Sequence, residues 1–422
     1  MRKTFAFILA LSLFLGLAAC GENPVPDPDE PTTQSVTETG VPPEAGKAFN
    51  NGGRYVKYGD ATYYWEYTAA CLEPGGIWGE FREVPGVPRP MARLGADGKA
   101  ARLFTEDGYG NIWIYKDRFY LARLDADNAP QLFSVSMDGK DKRELGPGEI
   151  FALDEARGLL IASVERLNED THRVETCVLD TATSARKMLP AANAALLLYD
   201  EASAALYYRD LSEEIWRNVR LCGVDVTTGE AHDIALIDTE KYDEFEDCYT
   251  VEPDAAWLES DGLHVILSGY SGNAHMFMNS VHLIIALDGS GITQYDDGDA
   301  PDYGRYPLHK PFETRDINGE DEFSGYSIRV GWDTFEPVLT PEDLSGLGLP
   351  DGPFFRDDDF ADVRDVEYAD GALFFTIVQG PRDPAQDIGW REGYDIASVH
   401  VYRKDVASGQ INILYSFASI FD

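Results

Sequence analysis

Short stretches in which apolar and polar residues alternate recur along most of the chain, and each ends in turn-forming residues. Residues 220–234, RLCGVDVTTGEAHDI, predict a strand, a tight turn and a second strand. A period of two directs one face of a strand towards a core, and Gly after Asp or Thr supplies the positive φ that tight hairpins require. Helical periodicity is nearly absent apart from one turn near Pro341, so the pattern predicts an all-β fold.

The hairpin is one part of a longer repeat. Six copies occur at residues 92–104, 134–145, 177–189, 222–234, 284–295 and 402–414, and a weaker seventh at residues 327–339. Two further short strands precede several of the copies, as NIWIYKD and RFYLARLD precede the second. Four strands in about 40 to 50 residues are typical of a propeller blade. We therefore predict a single β-propeller of seven four-stranded blades, with six as the alternative because residues 296–323 are irregular and acidic.

The turn sequences carry a resemblance to known propellers. SMDGKDKREL and GADGKAARLF resemble the D-G-x-x-x-x-x-L phrase of TolB-type repeats, and DVTTGE resembles the blade hairpins of WD-like and quinoprotein-like propellers. The resemblance covers roughly residues 54–417. The G-H…W-D signature and the sialidase box S-x-D-x-G-x-x-W are both missing from the sequence. The resemblance implies a fold and no particular activity.

The first residues have the pattern of an export signal. A basic start at Arg2 and Lys3 precedes an apolar run and the residues LAAC at 17–20. This resembles a bacterial lipoprotein signal, in which Cys20 would carry the lipid after removal of residues 1–19. The alternative, a transmembrane helix, needs about 20 apolar residues, and this run has only ~15. We predict attachment to a membrane through Cys20, facing outside the cytoplasm.

A spacer is predicted between the lipid and the domain. Residues 20–53 are rich in Pro, Thr and acidic residues and contain a single aromatic residue, Phe49, so they cannot bury a core. We expect this segment to be a disordered linker extended by its prolines. The propeller domain is predicted at residues 54–422.

The charge excludes one class of partner. The net charge is −39, and removal of residues 1–19 would lower it to −41 because that segment carries two basic and no acidic residues. A surface this acidic repels phosphate backbones, so we predict no nucleic-acid partner.

Four cysteines would remain beyond Cys20, and an exported location permits disulfides between them. Cys177 and Cys222 each lie three residues before a turn Asp, and so occupy equivalent positions in successive blades. Stacked sheets are about 10 Å apart, too far for a bridge between those two. We predict a Cys222–Cys248 disulfide with Cys71 and Cys177 free, and four reduced thiols as the alternative.

Two groups of residues could bind a metal ion. Asp357, Asp359 and Asp362 lie close together, and clustered carboxylates are ligands that Ca²⁺ prefers, although solvated loop carboxylates are common in so acidic a protein. His264 and His282 fall near each other and near His275, but alternation around His264 favours an ordinary strand residue. No cofactor is therefore predicted, and calcium bound at the three aspartates is the alternative.

Function is the least determined property. The fold and the envelope location favour a scaffold that binds a protein or glycan ligand at one propeller face. The alternatives are a carbohydrate-active hydrolase or lyase and an assembly factor for envelope proteins. Aromatic runs at residues 63–67 and 109–120 could stack on sugars, although packing between blades is the commoner role of such residues. No catalytic residue is predicted, since SGYSG at 268–272 lacks the helix and parallel sheet of a nucleophile elbow.

Overall fold

The computed structural model describes residues 48–74, 81–84, 86–168, 171–211, 218–272, 277–295, 308–309, 325–329, 335–349, 353–355, 358–382 and 397–418. Within these ranges the chain consists mainly of antiparallel β-strands, so the all-β prediction is confirmed. The helical elements are short: α1 (Pro341–Gly346) and 3₁₀ turns at Ala69–Cys71, Thr239–Lys241 and Asp243–Phe245.

The described strands form seven sheets of three to five strands and one two-stranded ribbon. Sheet 1 contains β1 (Ala48–Phe49), β2 (Tyr55–Tyr58), β3 (Ala61–Trp65), β6 (Arg89–Leu94) and β7 (Ala100–Glu106), and the ribbon contains β4 (Leu72–Pro74) and β5 (Phe81–Glu83). Sheet 2 contains β8 (Gly108–Tyr115), β9 (Arg118–Leu124), β10 (Pro130–Ser136) and β11 (Lys142–Pro147). Sheet 3 contains β12 (Glu149–Asp154), β13 (Leu159–Asn168), β14 (Thr171–Asp180) and β15 (Arg186–Met188).

The second half of the chain continues in the same way. Sheet 4 contains β16 (Ala194–Asp200), β17 (Ala205–Asp210), β18 (Asn218–Asp225) and β19 (Ala231–Asp238). Sheet 5 contains β20 (Thr250–Glu259), β21 (Gly262–Tyr270), β22 (Phe277–Ile285) and β23 (Ile292–Gln294). Sheet 6 contains β24 (Leu308–His309), β25 (Tyr326–Arg329) and β26 (Phe335–Leu339), and sheet 7 contains β27 (Phe354–Phe355), β28 (Asp359–Ala369), β29 (Ala372–Pro381), β30 (Ser398–Asp405) and β31 (Ile411–Ala418).

The predicted outer hairpins are confirmed. Gly139, Gly229, Gly289 and Gly409 each lie between the last two strands of a different sheet, with φ between 70° and 83°. The Asp side chains of these turns accept backbone N–H groups; Asp225 Oδ1 accepts those of Thr227 and Thr228 at 2.7 and 2.9 Å. Each hairpin therefore has both features that its sequence predicts, a glycine in the left-handed region and an acidic residue that caps the turn.

The hydrophobic core is divided among the interfaces between successive sheets. The middle strands of sheets 1, 2, 3, 4 and 7 bury side chains on both faces, because each of these sheets packs between two others. Separate apolar clusters join sheets 1 and 2, 2 and 3, 3 and 4, 4 and 5, and 6 and 7. Face-to-face packing of four-stranded meanders is the arrangement of propeller blades.

The first and last sheets also pack against each other. The rings of Tyr55 and Phe374 are stacked with centroids 4.2 Å apart, and the Tyr415 hydroxyl donates to the Trp65 carbonyl oxygen at 3.3 Å. Within the described residues, sheets 1 and 7 share no strand, so side-chain packing and side-chain-to-backbone hydrogen bonds join them in place of strand pairing. We call this interface the seam.

The structure differs from the predicted spacer at its end. Residues 20–53 were predicted to be a disordered linker, whereas β1 begins at Ala48 and Gly53 forms a β-bridge with Ile112 of sheet 2. The glycines at 52 and 53 permit this close approach, because a Cβ on Gly52 would lie 2.5 Å from the Trp113 ring. The end of this polar segment, from Ala48 to Gly53, therefore packs against the domain although its composition predicts a linker. In the part of the chain that the structure describes, no helix has the length and apolar character needed to cross a membrane.

Candidate functional site

The segment from Asn50 to Tyr55 enters the fold between three sheets. The Asn51 side chain pairs with the Ile114 backbone in sheet 2, accepting from N at 2.6 Å and donating to O at 2.9 Å. It also donates to Glu155 Oε1 at 3.3 Å, beside sheet 3. The segment reaches sheet 7 through Glu367. These contacts hold the backbone at Arg54 in one place, so its side chain projects from a fixed base.

Glu367 of β28 holds this segment from the other side. Its Oε2 accepts the Arg54 N–H at 3.1 Å and its Oε1 accepts the Tyr55 N–H at 3.2 Å, while Asn50 Nδ2 also donates to Oε1. Removal from solvent raises the pKa of the Glu367 carboxyl to about 7, although the two backbone N–H groups favour the charged form. Glu367 is therefore a structural acceptor at the base of the site.

A bulge in β28 places a second carboxylate beside Arg54. The register between β28 and β29 shifts between Arg364 and Glu367, and Asp365 within the bulge has a φ of 50°. Its Oδ1 lies 2.7 Å from Arg54 Nη1, and both side chains are partly exposed. Strained backbone of this kind is common at ligand sites, where the surrounding structure maintains it.

A pocket opens at the seam above this ion pair. Its cavity volume is about 20 Å³, room for about one water molecule, so a larger ligand would lie across its opening. Its wall includes Arg54, Trp65, Tyr67, Asp365, Tyr415 and Phe417. The indole Nε1 of Trp65 is buried and has no hydrogen-bond partner within the described residues. Arg89 stacks over the Tyr67 ring with its Cζ 4.8 Å from the centroid, which fixes that ring. The pocket thus combines aromatic rings with an ion pair and an N–H donor.

These groups favour binding over acid–base chemistry. Aromatic faces accept apolar faces of a ligand, and Arg, Asp and the indole N–H can hydrogen-bond its polar edge. Glycoside hydrolysis needs two carboxyl groups about 5 to 10 Å apart. Among the described residues that line this pocket, Asp365 is the sole carboxylate, and it is paired with Arg54.

The described structure contains two of the three predicted calcium residues, so the calcium site remains a prediction. Asp357 lies outside the described residues. Asp359 is exposed at the start of β28, and Asp362 Oδ2 accepts from Arg364 Nε at 2.7 Å. Within the described chain, neither Asp359 nor Asp362 belongs to a group of three potential ligands. Cys20, the predicted lipidation site, also lies outside the described residues.

The structure does not form the predicted Cys222–Cys248 disulfide. The four cysteines of the described chain are free thiols. Cys222 faces sheet 3 from β18, whereas Cys248 packs at the interface of sheets 4 and 5, so the two lie on opposite faces of sheet 4. The connection that carries Cys248 crosses to sheet 5 and places Sγ against Gly269, where a Cβ would be 2.3 Å away.

The sequence interpretation missed the residues of the seam pocket. Arg54 was placed at the edge of the predicted linker, and Asp365 was one acidic residue among many. The doublet of glycines before Arg54 was the available signal, since glycine in a polar segment often marks a close backbone approach.

Comparisons with known proteins bear on the fold. No protein-family model and no curated protein sequence matches the chain. Solved β-propellers do: the propeller domain of the Trilobed protease from Pyrococcus furiosus, reported to have an open velcro topology, shares 10% identity over 86% of this chain and 95% of that chain, with a TM-score of 0.40. A putative TolB from Agrobacterium tumefaciens shares 9% identity over 52% and 85%, with a TM-score of 0.30. An oligogalacturonate lyase in complex with manganese shares 11% identity over 79% and 74%, with a TM-score of 0.31. At these identities the likeness concerns the fold alone.

Proposed function

We propose that the protein is a cell-envelope lipoprotein whose propeller binds a carbohydrate at the seam pocket. The observation that carries the proposal is the combination of aromatic rings with the Arg54–Asp365 pair in one pocket. Sugar rings present apolar faces that stack on aromatic side chains and hydroxyl groups that hydrogen-bond to charged ones. The buried Trp65 N–H supplies one further donor.

The pocket suits a binding module better than a glycosidase. Asp365, the one carboxylate among the described residues of its wall, is paired with Arg54, and Glu367 accepts N–H groups at the base of the site. The net charge of −39 disfavours anionic polymers, so a neutral or amino sugar is the expected ligand class.

Binding is tested on an array of glycans and peptidoglycan fragments with the full-length protein. We expect a saccharide to bind, and Arg54→Gln and Tyr67→Ala each to weaken its affinity at least tenfold. Tyr249→Ala is the matched control, because Tyr249 is 56% exposed and precedes β20 in sheet 5. If no saccharide binds, or if the pocket variants bind as tightly as the control, the seam pocket is not a carbohydrate site.

The envelope location rests on the LAAC motif and is tested separately. Cys20→Ser should abolish lipidation and release the protein from the membrane fraction, since a lipid anchor depends on that thiol. Cys71→Ser is the control, because Cys71 is buried within the described domain. A Cys20→Ser protein that still fractionates with membranes would refute the anchor without touching the pocket.

A further inference from the structure

A compact group of side chains surrounds the turn between β20 and β21. Glu259 and Gly262 pair across the hairpin, so Ser260 and Asp261 form a two-residue turn at its end. One potential ligand atom from each of Glu259, Asp261 and His264 lies within 4.8 Å of the others. Of these atoms, His264 Nε2 and Asp261 Oδ1 are 2.9 Å apart.

The His264 and Glu259 side chains are each held by a neighbouring side chain. His264 is 5% exposed, and its Nδ1 lies 3.0 Å from His282 Nε2 on the adjacent strand. The Trp257 indole stacks on the His264 ring at 5.2 Å and donates its N–H to Glu259 Oε1 at 3.1 Å. In protein metal sites the ligating histidine donates its second ring N–H to such a partner, and ligating carboxylates are themselves hydrogen-bonded.

We propose that Glu259, Asp261 and His264 bind a divalent transition-metal ion, with Zn²⁺ as the fitting species. The site is distinct from the seam pocket and does not depend on the carbohydrate proposal. Bonds of about 2.0 to 2.2 Å from a tetrahedral zinc ion to nitrogen and oxygen place neighbouring ligand atoms roughly 3.3 to 3.6 Å apart, so the His264–Asp261 pair, at 2.9 Å, would separate by about half an ångström when the ion binds. One imidazole with two carboxylates suits zinc better than calcium, which takes six to eight oxygen atoms.

The arrangement leaves the ion partly open. The Asp261 side chain is 54% exposed, whereas His264 and its partner His282 are buried. The protein therefore supplies three ligands from a rigid hairpin, and water or an external ligand completes the coordination at the exposed side. In this state His264 presents the lone pair of Nε2 to the ion and donates its Nδ1–H to His282, which makes His282 a positioning residue.

The test is a zinc titration of the untagged full-length protein, freed of metal by a chelator, in competition with a chromophoric zinc indicator. We expect one equivalent of zinc to bind with a dissociation constant in the micromolar range or below. Asp261→Asn and His264→Gln should each weaken binding at least tenfold. The matched controls are Asp288→Asn and His232→Gln, which change the same residue types at exposed positions outside this hairpin and should bind zinc as the wild type does.

X-ray absorption at the zinc edge gives a second, structural readout. The wild type should show one imidazole ligand, which His264→Gln removes and His282→Gln retains with weaker binding. Asp261→Asn changes an exposed turn residue, so it remains informative if the His264 variant fails to fold. The proposal is overturned if no stoichiometric zinc binds, if Asp261→Asn binds as the wild type does, or if the controls weaken binding equally.

Discussion

Glycine 289 shows how one residue determines an outer hairpin. It lies in the left-handed region with a φ of 75°, and a Cβ at this position would meet no atom within 4 Å. Gly289→Ala should therefore lower the free energy of unfolding by about 1 kcal/mol through backbone strain alone. Urea unfolding followed by fluorescence measures the change.

The same turn contains the control for that prediction. Gly291 also has open space around its Cα but no left-handed φ, so Gly291→Ala should change stability by only a few tenths of a kcal/mol. Equal effects of the two substitutions would show that the φ of Gly289 is not the constraint.

The carboxyl of Glu367 makes stability depend on pH. Its pKa is raised from 4.5 to about 7 by removal from solvent, so the folded protein keeps a proton that the unfolded chain has lost in that range. The contribution of the protonated Glu367 carboxyl to the free energy of unfolding is fully present below pH 4.5, and it is lost as the pH rises through about 7. Glu367→Gln should remove this component, measured as the difference in unfolding free energy between variant and wild type across the range. The exposed Glu246→Gln is the control, and a parallel pH profile for Glu367→Gln would contradict the assignment.

At the scale of elements, α1 begins with a complete capping box. The Thr340 hydroxyl accepts the Asp343 N–H at 3.3 Å, and Asp343 Oδ2 accepts the Thr340 N–H at 2.8 Å. Lys404 of β30 donates to the same Asp343 oxygen, which ties the turn to sheet 7. Thr340→Ala should lower the free energy of unfolding in urea by about 1 kcal/mol, because the Asp343 N–H loses its acceptor and Asp343 Oδ2 loses the hydroxyl that donates to it. Thr340→Ser keeps the hydroxyl and should retain stability; an equal loss in both would assign the effect to the methyl group.

Register shifts are a second feature at the scale of elements. In sheets 2, 3, 4 and 5 the register shifts between the first two strands, and in sheet 7 it shifts between β28 and β29. A bulge bends its strand and re-aims a side chain, and in sheet 7 it directs Asp365 to Arg54. In two sheets the sequence marks the position, because Gly110 lies within the irregular stretch of β8 and Pro253 at the shift in β20, and both residue types are common at bulges.

At the scale of the whole molecule, the seam should be as important as any other interface. Phe374 lies at the seam and Phe119 lies between sheets 1 and 2, and both are fully buried. Phe374→Ala and Phe119→Ala should each lower the unfolding free energy by about 3 to 5 kcal/mol, through lost apolar burial and the cavity that remains. Guanidinium unfolding compares the two. A cost below ~1 kcal/mol for Phe374→Ala alone would indicate that the terminal sheets are not joined in solution.

Seven sheets follow one another along the described chain, in agreement with the seven hairpins of the sequence, while the number of blades in the ring stays a prediction. The repeat was predictable because strand alternation and glycine turns are local properties. Asp225, Gly229 and their counterparts act within a few residues of their own position.

The sequence by itself determined the strands, the outer turns and the meander order, since each depends on neighbours in the chain. Only the tertiary structure decided the sites. Arg54 and Glu367 are 313 residues apart and meet because the first and last sheets pack together. His264 and His282 meet because β21 and β22 pair in one register, and a shift by one residue would direct them to opposite faces. Cys222 and Cys248 are separated because sheet 4 packs between sheets 3 and 5. Cys222 lies at the interface of sheets 3 and 4, and Cys248 lies at the interface of sheets 4 and 5.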